Sequence, residues 1–313
     1  MIDISAKPTT LRSATATAVL TLRPETLRRM REGDLPKGDP LPVARVAAIQ
    51  AMKRTSDIIP YCHPLPVEHA SVAFDIGDDR IVVHTGVTAI YRTGVEMEAM
   101  TGAAVAVLTL YDMMKMVDES MAIEAVRLEG KRGGKSDQRD HYERPLRAAV
   151  LVMSDSIAAG TKSDASGVII RNRLESLGVE VAVYDVIPDE RAQIYETVRG
   201  YADDMRLDLV VTTGGTGFSP RDCTPEALED LYDRQLPGVA EAMRAHGQAR
   251  TPYSMLSRAT AGIRGQTLIL TLPGSRRGVR EGLEAVFPGL LHSFRMLWME
   301  GSPVHEAHPE VST

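Results

Sequence analysis

Cysteine and aromatic residues are scarce in this chain. Of its 313 residues only two are cysteines, Cys62 and Cys223, and aromatic side chains make up 4% of the sequence. Two cysteines that lie far apart form neither a CxxC pattern nor a disulfide framework, so the composition favours a reducing compartment. Because aromatics are so few, the core has to be packed from Val, Leu, Ile, Ala and Met.

Long apolar runs and an excess of positive charge are also absent. No uninterrupted apolar stretch approaches the ~18 residues that a membrane-spanning helix needs, and the opening MIDISAKPTT contains no apolar signal core. We therefore expect a cytoplasmic protein that contacts no membrane. The formal net charge of -6 argues against a general nucleic-acid-binding protein, although local basic pockets for phosphates are compatible with it.

A change of pattern divides the chain into two domains. Residues 130–145, GKRGGKSDQRDHYERP, are Gly-rich, then highly charged, and show no apolar periodicity, which is typical of a mobile loop that runs into a linker. We predict a first domain over residues 1–136, a linker over 137–146, a second domain over 147–300 and a poorly ordered tail over 301–313. A chain of 313 residues also fits two domains better than one.

The two domains differ in the order of their predicted elements. The first reads as strands followed by helices, which predicts an α+β domain: an antiparallel sheet with helices on one face, ferredoxin-like. The second alternates near-continuous Val/Leu/Ile strands with helices, which predicts an α/β domain of three layers with a mostly parallel sheet. Ligands of such sheets bind beyond the carboxyl ends of the strands, and the polar segments SDS, TTGGTG and LPGS all follow predicted strands.

Charged residues flank a long apolar helix predicted within TGVEMEAMTGAAVAVLTLYDMMK, residues 93–115. Burying an unpaired charge costs several kcal/mol, so these charges either sit at exposed helix ends or line a site. Asp112 and Lys115 are three residues apart and share a helix face, where a lysine beside a carboxylate can transfer protons. Glu96 and Glu98 are two apart, so their side chains point in different directions.

Each of these features also has an ordinary structural interpretation. An Asp–Lys pair at this spacing is usually a surface ion pair of small energy. His63 precedes a proline and is more often a structural loop residue than a catalyst. Positive charge for a phosphorylated substrate would come from Lys37, Lys53, Arg54 and Lys135.

Together, the motifs KGD, ARVAAIQAMKRT, IPYCHPLP, TGVEMEAMTGAAVAVLTLYDMMK and GGKS resemble the cyclic pyranopterin monophosphate synthase family of molybdenum cofactor biosynthesis, from about Asp3 to Ser136. That family converts cyclic dihydroguanosine triphosphate to cyclic pyranopterin monophosphate and releases pyrophosphate. The resemblance implies acid/base roles for Asp112 and Lys115, assisted by Lys37. It also implies a pocket completed across a subunit contact, with substrate-binding residues Cys62, His63, Glu96, Met97, Glu98 and, on a mobile loop, Lys135.

In the second domain a glycine-rich turn follows a predicted buried strand in VVTTGGTGFSPRDCTPEAL. Gly214, Gly215 and Gly217 let the backbone approach a ligand and present N–H groups to an anion. The turn is neither a P-loop nor GxGxxG, and taken alone it is weak evidence. Asp189 and Asp222 lie near it in the sequence pattern and suggest a divalent cation such as Mg²⁺, although Asp189 also suits a helix N-cap.

The set SDS, KSDASG, IPDE, TTGGTGFSPRDCTPEA, LSRATAG and LPGS is similar to the molybdopterin adenylyltransferase family, over about residues 147–296. That family transfers AMP from Mg-ATP to molybdopterin. The resemblance implies that Asp189 and Asp222 are catalytic, metal-binding acids and that ATP and Mg²⁺ are cofactors, neither tightly bound. The residues implied to bind phosphate, pterin and nucleotide are Asp155, Ser156, Asp164, Ser166, Gly167, Gly214, Gly215, Thr216, Gly217, Pro273, Gly274 and Ser275. Arg276 and Arg277, which follow, either contact a ligand or cap a helix.

The leading hypothesis is therefore a fused enzyme of molybdenum cofactor biosynthesis, with a lyase domain followed by a nucleotidyltransferase domain. The alternative is that the second domain only binds pterin or acts as a scaffold, since a fold does not fix activity; the presence of both Asp189 and Asp222 favours catalysis. A GTP-dependent regulator fits poorly because no P-loop occurs.

The two reactions are not consecutive, because sulfur must be inserted between them, so fusion would act through co-expression or recruitment of the intervening enzyme.

The two resemblances also predict partners. The first family usually forms a hexamer and the second a trimer, so six chains could share one threefold axis; alternatively the linker decouples the domains and only one oligomer survives. We expect pterin and nucleotide substrates, other molybdenum cofactor enzymes as candidate partners, and no nucleic acid.

Overall fold

In a computed structural model, which describes residues 1–134, 137 and 140–298, the chain divides into two units, Met1–Asp137 and Gln138–Thr313. The predicted tail, residues 301–313, lies outside the described residues. Within the described part of the chain, no helix has the length and apolar content to cross a membrane.

The first unit is a four-stranded antiparallel sheet covered by helices. Along the chain it consists of β1 (Thr10–Thr21), α1 (Pro24–Glu32), α2 (Pro40–Lys53), α3 (Thr55–Ile58), β2 (His69–Ile76), β3 (Arg80–Tyr91), α4 (Glu96–Met114) and β4 (Ala122–Arg132). The strand order is β2-β3-β1-β4, and each neighbouring pair is antiparallel. The predicted α+β class is confirmed.

The core of this unit is built from small side chains. Alternation along β1 places Ala14, Ala16, Ala18 and Leu20 on the buried face, against α2 and α4. On α4, Gly102 lets α2 approach closely, because a Cβ there would lie 2.4 Å from Met52 Cε. The middle of α4 is therefore a core helix, and its charged residues lie at its two ends.

A buried carboxylate, that of Asp118, joins the end of α4 to the start of α1. It has no exposed surface and accepts five hydrogen bonds of 2.6–3.0 Å, from the backbone N–H and Nε of Arg23, Oγ1 of Thr26, and the N–H and Oγ of Ser120. Burial opposes ionisation, but these five donors outweigh burial and lower the pKa of Asp118.

Replacing Asp118 with alanine is expected to lower the free energy of unfolding of the first unit by roughly 3–5 kcal/mol at pH 7, because buried donors lose their acceptor. Since the folded-state pKa is below the unfolded value of about 3.9, the stabilisation is present above that pH and is lost as pH falls through the folded-state pKa. Hydrogen exchange of β1 amides would measure it. Asp79→Ala, at an exposed ion pair with Arg80, is the control, and equal effects of the two variants would contradict the prediction.

The second unit has a six-stranded sheet of order β6-β5-β7-β10-β9-β8. Its strands are β5 (Arg147–Met153), β6 (Glu180–Ile187), β7 (Leu209–Thr213), β8 (Arg234–Gln235), β9 (Ala261–Arg264) and β10 (Thr267–Leu272). Its α-helices are α5 (Asp155–Ala158), α6 (Ser166–Ser176), α7 (Arg191–Arg199), α8 (Thr224–Glu229), α9 (Pro237–Gln248), α10 (Arg276–Val286) and α11 (Ser293–Leu297). The four strands β6, β5, β7 and β10 are parallel, and β9 and β8 extend the sheet antiparallel at one edge.

Successive residues of β5 point to opposite faces of this sheet and belong to two separate cores. Ala148 and Val150 pack with residues of α6, α9 and α10, whereas Ala149 and Leu151 pack with residues of α7 and α8. The predicted three layers and mostly parallel sheet are thereby confirmed. The antiparallel strands β8 and β9 were not predicted.

Residues 140–146, within the predicted linker of 137–146, fall in the second unit, Gln138–Thr313. Tyr142 donates a 2.5 Å hydrogen bond to the carbonyl of Leu291, and its ring packs edge-on against Trp298 at 5.4 Å. Arg144 forms a two-pronged ion pair with the buried Asp208, both bonds at 2.7 Å. The charges that resembled a solvated linker are therefore partly paired with the folded unit.

Candidate active sites

One carboxylate at the C-terminal end of α4 is held between two lysines; we call Lys37, Asp112 and Lys115 the lysine cluster. Lys37 precedes α2 and donates to Asp112 Oδ2 at 2.7 Å and to its carbonyl at 2.9 Å. Lys115 donates to Asp112 Oδ1 at 2.8 Å. The bonds from Lys115 and Lys37 lower the pKa of Asp112 to about 2, and Asp112 raises the pKa of Lys115. At neutral pH the cluster carries one negative and two positive charges.

A second cluster lies at the N-terminal end of α4; we call Cys62, His63 and Glu98 the thiol cluster. Cys62 Sγ donates to Glu98 Oε1 at 3.4 Å, and Glu98 is only 2% exposed. Its Oε2 has no hydrogen-bond partner among the described residues. His63 Nε2 lies 2.8 Å from the carbonyl oxygen of Ile2; because a carbonyl only accepts, this nitrogen carries the proton.

The sulfur atom of the thiol cluster is protonated, and therefore uncharged, at neutral pH. Burial raises the pKa of Cys62 to about 11, and the Glu98 carboxylate adds to the effect. Burial also raises the pKa of Glu98 itself. Cys62 is consequently a hydrogen-bonding thiol at neutral pH and not a thiolate nucleophile.

Glu96 and Met97 lie in the first turn of α4, beside Glu98 of this cluster. Glu96 pairs with Lys131 of β4 at 2.9 Å, a residue that sequence analysis missed because nothing in β4 distinguishes it from other surface lysines. Met97 is partly exposed. Lys135 lies outside the described residues. The residues just before it pack closely against β1: Gly133 has φ +92, and a Cβ there would lie 1.8 Å from the carbonyl oxygen of Leu11.

The two clusters are separated by the length of α4. Glu98 and Asp112 are fourteen residues apart on this helix, which corresponds to about 21 Å at 1.5 Å per residue. A single pterin ring with its phosphate cannot contact both ends of such a helix. Within one chain, therefore, these predicted residues fall into two separate groups.

The glycine turn of the second unit sits at the carboxyl end of β7. Gly214 has φ +111, and a Cβ there would lie 2.2 Å from the carbonyl oxygen of Met153; Gly215 has φ +61, and its Cβ would lie 2.3 Å from Thr224 Oγ1. Thr224 fixes the turn by donating its hydroxyl to the carbonyl of Gly214 and its N–H to that of Gly215. Only glycine fits these two positions.

A cavity of about 530 Å³ opens at the ends of β5, β7 and β10. Its lining includes six of the predicted ligand-binding residues, Asp164, Ser166, Gly214, Gly215, Gly274 and Ser275. Lys162 and Arg276 also line it and give it positive charge; Lys162 was missed by sequence analysis, and Arg277 instead pairs with Glu281 at 2.7 Å.

Hydrogen bonds hold the lining in place and involve several of the other predicted residues. Asp164 accepts the N–H of Gly167 at 2.9 Å and the hydroxyl of Tyr184. Ser166 donates to the carbonyl of Gly274 at 2.9 Å. The remaining predicted residues are not among those that line the cavity: Asp155, Ser156, Gly167, Thr216, Gly217 and Pro273.

Asp189 and Asp222 both lie against the glycine turn. A Cβ at Gly215 would be 3.2 Å from Asp189 Oδ1, and a Cβ at Gly217 would be 2.7 Å from Asp222 Oδ2. Asp189 Oδ1 is buried without a hydrogen-bond partner, and burial raises the pKa of Asp189. Asp189 does not cap a helix, since α7 begins at Arg191 with Glu190 in the N-cap position.

These acids suit a hard divalent cation. No group of three His, Cys, Asp or Glu side chains is placed to hold a metal in the part of the chain that the structure describes. Two carboxylates, one with an orphaned buried oxygen, match Mg²⁺, which keeps waters and takes its other ligands from substrate phosphates.

Two arginines at this site were not predicted. Arg221 donates to Asp155 Oδ2 at 2.6 Å. Arg258 donates to the carbonyls of Gly217 at 2.6 Å and Asp222 at 2.9 Å, and pairs with Glu226. Both lie inside segments quoted above, Arg221 in SPRD and Arg258 in LSRATAG. For Arg221, its position next to the predicted acid Asp222 was the signal by which it could have been found.

Comparison with known proteins divides the chain as the structure does. Residues 1–134 match the model of the MoaC family, and residues 149–292 match a family described as "Probable molybdopterin binding domain". A "Cyclic pyranopterin monophosphate synthase" from Roseiflexus sp. (strain RS-1) is 48% identical over 138 residues, covering 44% of this chain and 87% of that protein. The solved structure of the molybdopterin biosynthesis enzyme MoaB from Thermus thermophilus is 47% identical, covers 49% of this chain and 96% of that one, and has a TM-score of 0.47.

Similarity to other proteins also extends over both units. A "Molybdenum cofactor biosynthesis bifunctional protein" from Chlorobaculum tepidum is 43% identical over 301 residues, covering 96% of this chain and 95% of that protein. Taken with the two family matches in the same order, it shows that the chain belongs to the family of bifunctional molybdenum cofactor biosynthesis proteins.

Proposed function

We propose that the first unit converts cyclic dihydroguanosine triphosphate to cyclic pyranopterin monophosphate and releases pyrophosphate. The observation that carries the proposal is the Asp112 carboxylate held at 2.7 and 2.8 Å between Lys37 and Lys115. The similarity to the Roseiflexus synthase over the same residues supports it. In this arrangement Lys115 donates and recovers protons while Asp112 orients it, and the two ammonium groups offset the phosphate charge that leaves with pyrophosphate.

The thiol cluster supplies the complementary recognition. Glu98 Oε2 is buried without a partner among the described residues, and leaving such an oxygen unpaired costs roughly 1–3 kcal/mol. A ring N–H or amino group of a guanine-derived substrate would satisfy it, and the neutral thiol of Cys62 holds the other carboxylate oxygen in place. This end of α4 is proposed to recognise the guanine-derived ring of the substrate, and the lysine cluster is proposed to act on the phosphate and sugar portion.

Because the clusters lie at opposite ends of α4, we further propose that each complete site is assembled from two chains. Apolar side chains on the outer faces of the helices are exposed in the single chain: Val43 and Val46 on α2 are 46% and 59% exposed, and Leu108 on α4 is 56% exposed. A second copy would cover them. Six chains around one threefold axis satisfy this arrangement, and a solution mass of a single chain would contradict it.

For the second unit we propose transfer of AMP from ATP to molybdopterin. A terminal phosphate oxygen of molybdopterin attacks the α-phosphorus of ATP, the α–β phosphoanhydride bond breaks, and pyrophosphate leaves. Asp189 and Asp222 would hold the Mg²⁺, which when bound neutralises triphosphate charge. The glycine-turn N–H groups bind phosphate oxygens, and Lys162 and Arg276 attract the anionic substrates into the cavity.

Adenylylation is tested with the purified chain, molybdopterin, ATP and Mg²⁺. Asp222→Asn is expected to lower the rate roughly 100-fold, because the amide keeps the shape of the side chain but cannot neutralise the cation. Asp230→Asn, a 78% exposed acid of the same unit, should retain the rate. Tight binding of molybdopterin by the unaltered chain without AMP transfer would contradict the proposal and favour a pterin-binding module.

A further inference from the structure

Three acidic residues follow three neighbouring strands, and they differ in what they face. Asp155 follows β5, Asp189 follows β6, and Asp222 lies in the segment after β7. Asp189 and Asp222 lie against the glycine turn. None of the three is among the residues that line the 530 Å³ cavity, and Asp155 differs from the other two in that its carboxylate is directed at protein partners.

Both carboxylate oxygens of Asp155 are engaged within the protein. Oδ1 accepts the N–H of Asp189 at 3.1 Å, and Oδ2 accepts Arg221 Nη2 at 2.6 Å. The N–H of Asp155 returns a 3.3 Å hydrogen bond to Asp189 Oδ2. This reciprocal pair fixes one oxygen of Asp189 and leaves the other, the buried Oδ1, directed at the turn.

Arg221 extends the connection to the second metal-binding acid, because Asp222 is its neighbour in the chain. Arg221 also reaches Glu190 at 3.3 Å, so it joins the segments after β5, β6 and β7. The side chain of Asp222 is held in a local turn by Ser219, whose N–H donates to Asp222 Oδ2 at 2.9 Å. The ion pair of Arg221 with Asp155 thus links the segment that carries Asp222 to the segment after β5.

We propose that Asp155 is a positioning residue that holds the two metal-binding acids at their working separation, Asp189 directly and Asp222 through Arg221. The inference rests on the adenylylation function proposed above and deepens it. We assign Asp155 this role and not that of a third metal ligand, because each of its oxygens already accepts a hydrogen bond within the protein and no group of three acidic, Cys or His side chains converges among the described residues.

The test measures binding of Mn²⁺, in place of Mg²⁺, to the full chain by electron paramagnetic resonance in the presence of α,β-methylene-ATP, which cannot transfer AMP. By charge alone, Arg221→Ala removes a cation beside the site and should tighten Mn²⁺ binding. If Arg221 positions Asp222, the same change weakens binding, by roughly tenfold. Arg221→Lys, which keeps a cation for Asp155, should restore most of the affinity, and Arg199→Ala, at the far end of α7, makes the same charge change as a control.

Steady-state rates separate positioning from substrate contact. In Asp155→Asn the KM for Mg²⁺ should rise roughly tenfold while the KM for molybdopterin stays within about twofold, because the residue acts through Asp189 and Arg221. A raised KM for molybdopterin, or Mn²⁺ binding in Arg221→Ala that is unchanged or tighter, overturns the inference while adenylylation stands. Absence of Mn²⁺ binding by the unaltered chain overturns the adenylylation proposal itself.

Discussion

Asp112→Asn is expected to lower the rate of cyclic pyranopterin monophosphate formation roughly 10³-fold while the fold is retained. The carboxylate is the only acceptor shared by Lys37 and Lys115 in the described lysine cluster. An amide of the same shape cannot offset two ammonium charges, so the lysines move apart and the pKa of Lys115 loses the rise that Asp112 causes. Because the side chain of Asp112 is 56% exposed, the change should have little effect on stability.

Single-turnover formation of product by the full chain measures this effect. Asp79→Asn is the matched control, since Asp79 is also exposed and paired with a cation, Arg80, but lies in the hairpin between β2 and β3. Since the pKa of Asp112 is lowered to about 2, its carboxylate stays ionised above that pH, and an acid limb of the rate profile between about pH 4 and 6 must come from another group. A rate within tenfold of the unaltered chain would remove Asp112 from the chemistry.

The three groups of the lysine cluster should behave as a unit. Lys115→Met alone and Lys115→Met combined with Asp112→Asn are expected to reduce the rate by similar factors, because either change removes the oriented acid. Additive losses would instead indicate that Asp112 and Lys115 contact the substrate independently.

The sequence predicted α4 well because one physical fact dominates it. A run of Ala, Val and Leu is too apolar for a helix exposed on all sides, so charged residues such as Glu98 and Asp112 were expected at its ends. The pairing of Lys37 with Asp112 joins residues 75 positions apart, and no local periodicity encodes such a contact. The family resemblance grouped these residues, but their contact became visible only in the structure.

Local pattern also failed where the elements are short or the contacts are polar. β8 has two residues and β9 has four, too few for alternation to be recognised. Residues 140–146 carry no apolar period, and their contacts, such as that of Arg144 with Asp208, join residues far apart in the sequence, so no local pattern indicated these contacts. The Asp155–Arg221 pair escaped notice for the same reason: the partners are 66 residues apart.

The separation of the two clusters by about 21 Å makes the proposal that two chains share each site of the first unit directly testable. A chain with Asp112→Asn keeps an intact thiol cluster, and a chain with Glu98→Gln keeps an intact lysine cluster. If each site takes one cluster from each of two chains, mixed assemblies contain sites in which both contributions are intact. Either variant by itself has none.

Co-expressing the Asp112→Asn and Glu98→Gln chains in equal amounts is therefore expected to restore about one quarter of the activity of the unaltered protein, the fraction of sites that random pairing makes intact. Each variant alone should have a rate reduced by at least about 100-fold. The control mixes Asp112→Asn with Lys115→Met, which damage the same cluster; since no pairing makes an intact site, activity should stay at the level of the single variants. Restoration in that control would mean that Asp112 and Lys115 act together from different chains. No restoration with Glu98→Gln, in assemblies shown by mass to contain both chains, would mean that one chain carries a whole site. The substrate would then need a further contact nearer the lysine cluster than the thiol cluster lies.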